Sequence, residues 1–408
     1  MKYVVVLGDG MADYPVEELE GKTPLQVAEK PNIDALARQG TLGLVKTVPD
    51  HMAPGSDTAN LAVLGYDPEK YYSGRSPYEA VSMNVQLADT DVTFRCNLVT
   101  LSENDTYEDR LMVDHSADEI SSAEARVLMQ DLSEQLSTED IAFYPGVSYR
   151  HLLVWHGAPL DWQLTPPHDI LGQAVREHLP RGPLGPIVQE MMEKSARILE
   201  AHPINKERIA RGLRPANSAW IWGEGTKPKL PSFYDKYNIH GGVISAVDLI
   251  KGIGTCAGLT TIEVEGATGN LQTNFRGKAE AALSALREGL DFVYIHIEAP
   301  DECGHRQEVH NKVKAIELID QLVVKTLIDG LENLRQPYKI LVMPDHATPL
   351  ALRTHTTDPV PFVIFDPQER KDFPQQSYDE ASAENAGYYI GEGYTLMDIF
   401  LRNGHKEA

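Results

Sequence analysis

Residues Tyr3–Leu7 (YVVVL) are apolar without a break, and the run stops at Gly8-Asp9-Gly10. An uninterrupted run of this kind is a strand buried on both faces, which requires a parallel sheet covered by helices above and below. The same rhythm returns near the other end of the chain. Asp291–Ile297 (DFVYIHI) and Lys339–Met343 (KILVM) read as two more such strands. Val360–Phe365 (VPFVIF) reads as another, in which Pro361 marks an early or edge position. Lys312–Leu331 carries Val313, Ile316, Ile319, Leu322, Val323 and Leu327 at helical spacing. Pro31–Gly40 opens with a proline, places Ile33, Leu36 and Ala37 on one face and ends on glycine, so it too reads as a helix. Ser56–Leu64 reads as a further helix with Ser56 near its start. Alternation of strand and helix specifies an α/β core, a mostly parallel sheet between helices.

The middle of the chain departs from this rhythm. Val92–Leu101 and Tyr149–Trp155 read as strands, and Ala117–Leu136 and Ile187–Ala201 as helices. Proline clusters punctuate the segment at Thr165-Pro166-Pro167 and at 180–186. Residues 88–210 are therefore expected to form a smaller inserted α/β domain, and residues 1–87 and 211–408 the core. The core resumes near Pro215.

The composition narrows the partners. With 37 Lys+Arg against 60 Asp+Glu the net charge is −23, which disfavours nucleic acid and anionic membrane. Any anionic substrate must then be received by bound cations or by a few arginines. Cys96, Cys256 and Cys303 are too few and too scattered for a disulfide framework and fit a reducing compartment. The run Tyr3–Leu7 is too short for a signal or spanning segment, so a cytoplasmic protein is expected. No sequence feature specifies an oligomeric state.

Ligand-type residues follow the apolar strands. They are Asp9, then Asp301 and His305, then Asp345-His346, with His355 shortly beyond. In open α/β sheets functional groups collect beyond the C-terminal strand ends. Asp301 and His305 stand four apart, on one side of a helical turn, and with His355 make a two-histidine, one-carboxylate set. Asp345 and His346 are adjacent. In an extended segment they would diverge, whereas at a strand end they can converge or serve two neighbouring ions. Mixed carboxylate and imidazole donors suit Mn2+ or Zn2+, with Mg2+ or Co2+ as alternatives, and so many candidates suit two ions. A pair of cations can activate a nucleophile and clamp an in-line phosphoryl displacement. Ser56 is the candidate nucleophile. No G-x-S-x-G motif surrounds it, so metal coordination is the route to its activation.

Taken together, these residues resemble the alkaline-phosphatase superfamily, and within it the archaeal type of 2,3-bisphosphoglycerate-independent phosphoglycerate mutases. The resemblance is carried by VVLGDGMAD (5–13), PNIDALARQG (31–40), PGSDTANLAVLGYDP (54–68), GRSPYEA (74–80), EAPDECGH (298–305), MPDHATP (343–349) and RTHTTDPVPFVIF (353–365). It implies an alkaline-phosphatase-like core with a lid domain, and a division of ligands. Asp9, Ser56, Asp345 and His346 would hold one metal, and Asp301, His305 and His355 the other. It also implies interconversion of 3-phosphoglycerate and 2-phosphoglycerate through a phosphoserine, without bisphosphoglycerate, on a small phosphorylated carboxylic acid. The stretch WIWGEGTKP (220–228) resembles a bacterial branch proposed to act as homoserine kinase. A kinase of that kind, a phosphatase, a phosphopentomutase-like enzyme and a non-catalytic metal-binding descendant are the rival readings.

The arginine-rich substrate motif of the bacterial mutases is not recognisable here. The substrate-binding candidates are Arg75, Arg95, Asn97, Arg150, His151, His168, Asp169 and Lys251, because an arginine fork matches a carboxylate or phosphate. Two other signals are set aside. Gly252-Ile-Gly254 follows an expected helix, 246–251, whereas a dinucleotide fingerprint must lie between strand and helix. Trp155, Trp162, Trp220 and Trp222 are expected to be packing residues.

Overall fold

The structure, a computed structural model, describes residues 1–104 and 106–402. The chain divides into two compact units: residues 1–72 with the chain from Lys229 onward, and residues 73–228. In chain order the first unit supplies β1 (Lys2–Gly8) and β2 (Thr41–Val45). The second supplies β3 (Asp91–Leu101), β4 (Met112–Asp114), β5 (Ile141–Val147), β6 (Arg150–His156) and β7 (Ser218–Thr226). The first unit then adds β8 (Gly241–Ile244), β9 (Thr260–Thr261), β10 (Phe292–Ile297), β11 (Tyr338–Met343), β12 (Val360–Phe365) and β13 (Tyr389–Ile390).

The sheet of the first unit runs β13-β2-β12-β11-β1-β10-β8-β9. Strand β1 lies at its centre, parallel to β10 on one side and to β11 on the other. All three are buried along their whole length, as the unbroken apolar runs require. Alternate side chains serve opposite faces. Val4, Val6, Val293, Ile295, Ile340 and Val342 pack with Ile33 and Leu36 of the helix Pro31–Gln39 and with Ala279 and Leu283 of the helix Phe275–Arg287. On the other face Tyr3 meets Phe400 edge-on and Phe292 packs on Phe233.

The expected helix at 312–331 is the middle of a longer rod. Val309–Leu318 and Lys325–Leu334 are α-helical, joined by a π-helical turn at Ile319–Val324. Asp320 lies in that turn, fully buried. Its carboxylate accepts the Ile33 N–H and the Asn32 Nδ2 group, both at 2.7 Å. The helix Pro31–Gln39 has no side-chain cap from its own flank, so a carboxylate from the rod satisfies an otherwise orphaned donor of its first turn.

Strand β12 lies between β11 and β2, antiparallel to both, not at an edge. Pro361 is tolerated because it is early: pairing with β11 begins only at Val363, leaving Pro361 paired on one side. The helix expected from Ala117 begins at Ser122, because Ala117, Asp118 and Glu119 all take positive φ. The glycines 252 and 254 lie inside a helix, Asp248–Cys256, and not in the turn that joins it to β8.

The second unit extends on both sides of the expected 88–210. The reason is packing. Strand β7 pairs antiparallel with β3, and the helix Ser76–Ser82 packs on the same sheet. Strand β3 is the centre and pairs antiparallel with β6, β7 and β4. One face, with Phe94, Cys96, Leu98 and Leu153, is covered by the helices Ser122–Leu136 and Gly185–Glu200. No helix among the described residues is long and apolar enough to cross a membrane.

Asp320→Ala strips the rod's carboxylate from two donors, one of them a buried backbone N–H. Leaving a buried donor unmet costs about 2 kcal/mol, so urea unfolding of this variant is expected to shift to a lower midpoint with an unchanged slope.

Candidate active site

The three central strands β11, β1 and β10 run in the same direction and in register, Leu7 opposite both Met343 and His296. Their C-terminal ends therefore fall side by side. Asp9 follows β1, Asp345 follows β11, and Asp301 stands in the short helix Ala299–His305 after β10. All three carboxylates are buried. Asp345 and His346 converge: the His346 Nε2 atom lies 3.5 Å from both Asp9 Oδ1 and Asp345 Oδ2. Ser56 opens the helix Ser56–Val63, and its Oγ lies 3.1 Å from the same Nε2.

Asp301 holds the other side. Its Oδ2 lies 3.2 Å from His305 Nε2 and its Oδ1 lies 3.4 Å from His355 Nε2. The two imidazole Nε2 atoms are 2.9 Å apart. His305 Nδ1–H donates to the Arg353 carbonyl at 2.9 Å, which fixes the ring so that Nε2 faces inward. Ligand atoms of Asp9, Asp345 and His346 lie within 4.8 Å of one another, and so do those of Asp301, His346 and His355. His346 stands at the junction of the two groups.

Three buried carboxylates at one strand edge repel one another. Burial, and then the charges of Asp345, Asp301 and Glu298, push the Asp9 carboxyl well above its ordinary range. Burial acts on Asp301 in the same sense, but hydrogen bonds from His305 and His355 outweigh it and hold that carboxyl well below its ordinary range. Burial disfavours the charged form of His305, yet the Asp301 carboxylate outweighs that and lifts the imidazole to about 9. Burial lowers His346. Asp9 Oδ1 is buried with no hydrogen-bond partner among the described residues. An unpartnered carboxylate oxygen, excess negative charge and inward-facing imidazole nitrogens form a donor set that fits divalent cations.

Supporting residues escaped the sequence reading. Asn60, one helical turn after Ser56, donates to Asp345 Oδ2 at 2.7 Å and to the Ser56 carbonyl at 2.8 Å. Tyr294 donates its hydroxyl to Asn60 Oδ1. His296 Nε2 lies 2.9 Å from Asp9 Oδ2, and burial pushes that imidazole down to about 3, so it stays neutral and donates. The available signals were a lone histidine inside an apolar strand and an asparagine four residues from the serine.

The substrate-binding candidates separate. Within the second unit Glu79 is gripped by two arginines, Arg75 Nε at 3.2 Å and Arg95 Nε at 3.0 Å. The Arg95 guanidinium lies 4.5 Å over the Trp222 ring, so this tryptophan is more than a packing residue. Trp222 Nε1 donates to Asn97 Oδ1 at 3.1 Å, and His168 meets the same indole edge-on. Asp169 lies 3.6 Å from His168. Arg150 stacks on Tyr149 at 4.5 Å, and Tyr149 touches His115, which also meets His168. Arg150 is close enough to Arg95 for their charges to interact. Arg75, Arg95, Asn97, Arg150, His168 and Asp169 thus belong to one cluster, joined by Glu79, His115 and Trp222, which were not foreseen.

His151 does not join them. It pairs with Cys96, one residue out of step with Arg95 and Asn97, so the period of two turns it to the opposite face. There it is buried, its Nδ1 accepts the Gly146 N–H at 2.9 Å, and burial lowers it to about 3. Lys251 belongs to the first unit and is bound to both carboxylate oxygens of Glu263 at 2.9 Å.

The family model for 2,3-bisphosphoglycerate-independent phosphoglycerate mutase matches residues 37–205. A protein of Geobacter sulfurreducens described as a probable 2,3-bisphosphoglycerate-independent phosphoglycerate mutase is 50% identical over 98% of this chain and 100% of its own length. The Methanosarcina mazei protein described as that mutase is 48% identical over 99% of this chain and 100% of its own. Among solved structures, a Pyrococcus horikoshii protein superposes over 100% of this chain and 99% of its own with a TM-score of 0.81 and 28% identity. A cofactor-independent phosphoglycerate mutase from Thermoplasma acidophilum covers 98% of this chain and 99% of its own with a TM-score of 0.62 and 26% identity.

The Asp301–His305 pair has a pH signature in protein stripped of metal by chelation. An imidazole lifted to about 9 on folding adds stability that is fully present below its ordinary value near 6.5 and is lost as the pH rises through 9. The urea midpoint of the stripped wild type should fall from pH 6.5 to pH 9.5, and His305→Gln should remove that part of the slope.

Proposed function

This chain belongs to the 2,3-bisphosphoglycerate-independent phosphoglycerate mutase family, and we propose that Ser56 carries the phosphoryl group in its reaction. The substrate is a phosphoglycerate, the product its positional isomer, and no bisphosphoglycerate takes part. The observation that carries the serine's role is the 3.1 Å approach of Ser56 Oγ to His346 Nε2, at the junction of the two ligand groups.

Asp9, Ser56, Asp345 and His346 would hold one divalent cation, and Asp301, His305 and His355 a second, Mn2+ and Zn2+ being the best matches to the donors. Bound there, the cations supply Lewis acidity that lowers the serine pKa and offsets the phosphoryl charge. Ser56 Oγ forms its bond to phosphorus as the ester bond of the substrate breaks, and the serine proton ends on the departing glycerate oxygen. The neighbouring glycerate hydroxyl then takes the phosphoryl group back, its proton returning to Ser56. Asn60 donates to both Asp345 and the Ser56 carbonyl, so it ties the helix that carries the nucleophile to the loop that carries Asp345.

The glycerate carboxylate needs a cationic partner in a chain of net charge −23. The cluster of Arg75, Arg95 and Arg150 in the second unit is that partner in this reading. Glu79 keeps Arg75 and Arg95 close despite their repulsion, and Trp222 gives Arg95 a stacking surface. The reaction also requires water to be kept from the phosphoserine, since hydrolysis would turn a mutase into a phosphatase. The second unit, as a lid, would meet that need.

Incubation with 3-phosphoglycerate and Mn2+, coupled to enolase, is expected to show turnover. Ser56→Ala is expected to lower kcat by at least about a thousandfold while the unfolding midpoint stays, as loss of a nucleophile demands. Turnover retained in Ser56→Ala would remove the phosphoserine route. Arg75 is partly exposed, so Arg75→Met should leave the fold intact and raise KM about tenfold, the effect of one charge-assisted hydrogen bond.

A further inference from the structure

The two ligand groups are not independent. Thr348, two residues beyond His346, lies between them and is fully buried. Its Oγ1 donates to Asp301 Oδ1. The same oxygen lies 3.3 Å from His346 Nδ1. A hydroxyl has one proton and a carboxylate can only accept. With the Thr348 proton committed to Asp301, the contact with His346 requires Nδ1–H to donate to Thr348. That choice leaves His346 Nε2 bare, turned toward Ser56 and Asp9.

The threonine is held from behind. The fully buried Lys312 ammonium donates to the Thr348 carbonyl at 2.8 Å, to Asp13 Oδ2 at 2.6 Å and to the Ala12 carbonyl at 3.4 Å. Asp13 in turn accepts the Leu350 N–H at 3.2 Å. The rod therefore ties the loop after β1 to the loop after β11. Glycines crowd the threonine in front. A Cβ on Gly10, which has φ +63°, would lie 2.5 Å from Thr348 Oγ1, and one on Gly304 would lie 2.6 Å from its carbonyl oxygen. Only hydrogen fits at either place without moving Thr348.

We infer that Thr348 is a positioning residue that couples the two cation sites, its hydroxyl orienting Asp301 on one side and setting the His346 tautomer on the other. The inference rests on the two-cation reading above. It adds that one side chain, which is not itself a ligand, fixes the relation between the two ligand groups.

The experiment uses the full chain, with Thr348→Val, which removes the hydroxyl at nearly constant shape, and Thr348→Ser, which restores it. Mn2+ binding is followed by equilibrium dialysis and by electron paramagnetic resonance. Wild type is expected to bind two Mn2+ with a spin-coupled spectrum. Thr348→Val should lose ten- to hundredfold in affinity for at least one ion, the usual effect of losing a partner that orients a ligand, and should lose the coupled spectrum. Thr348→Ser should recover both. Nitrogen-15 histidine spectra of metal-free wild type, which need no variant to fold, should show His346 protonated at Nδ1. A His346 protonated at Nε2 instead, or a Thr348→Val protein that binds two Mn2+ as wild type does, overturns this inference alone. Wild type binding fewer than two Mn2+ overturns the two-cation reading, and this inference with it.

Discussion

The parallel, in-register pairing of β1 with β10 and β11 is the constraint on which the rest depends. It delivers Asp9, Asp301 and Asp345 to adjacent positions at one sheet edge and buries all three. Carboxylates so placed would separate in a flexible loop. Here they cannot, because each follows a strand whose side chains are packed on both faces, and a close-packed core yields little to local strain. The opposite shifts of Asp9 and Asp301 express the same frustration. The carboxylate without a cationic partner is pushed up, and the one facing two histidines is held down.

Around this edge the molecule invests buried polar groups that contribute to placement more than to stability. His296, Asn60, Thr348 and Lys312 are all fully buried and hydrogen-bonded to a ligand, to the serine or to the loops that carry them. A buried polar network is costly unless each member is satisfied, and it then specifies one geometry. Asp9 Oδ1 is the exception, the acceptor that the proposed cation would satisfy.

The second unit treats charge in the opposite sense. Three arginines gather in a protein with an excess of acidic residues. Their repulsion is offset locally, by Glu79 between Arg75 and Arg95 and by the aromatic faces of Trp222 and Tyr149. Strand register decides membership. Arg95 and Asn97 share one face of β3, and His151, opposite Cys96, falls on the other.

Much of this was legible in the chain itself. Unbroken apolar runs of five or six residues identify strands buried on both faces because they are too short for a typical helix and end at glycine or proline turn signals. The polar residues that end those runs are then forced to a common edge by the topology of a parallel sheet, which is why Asp9, Asp301, His305, Asp345, His346 and His355 could be named from sequence. Tertiary structure alone decided the rest. The face His151 takes depends on pairing between strands about fifty residues apart. The interior place of β12 depends on β2, far earlier in the chain. The roles of Asn60, Thr348 and Lys312 depend on partners hundreds of residues away or on the far side of a loop. Local pattern fixes which side of a strand or helix is apolar, because that follows from backbone periodicity. Which polar groups meet follows from how the elements pack, and that is a property of the whole chain.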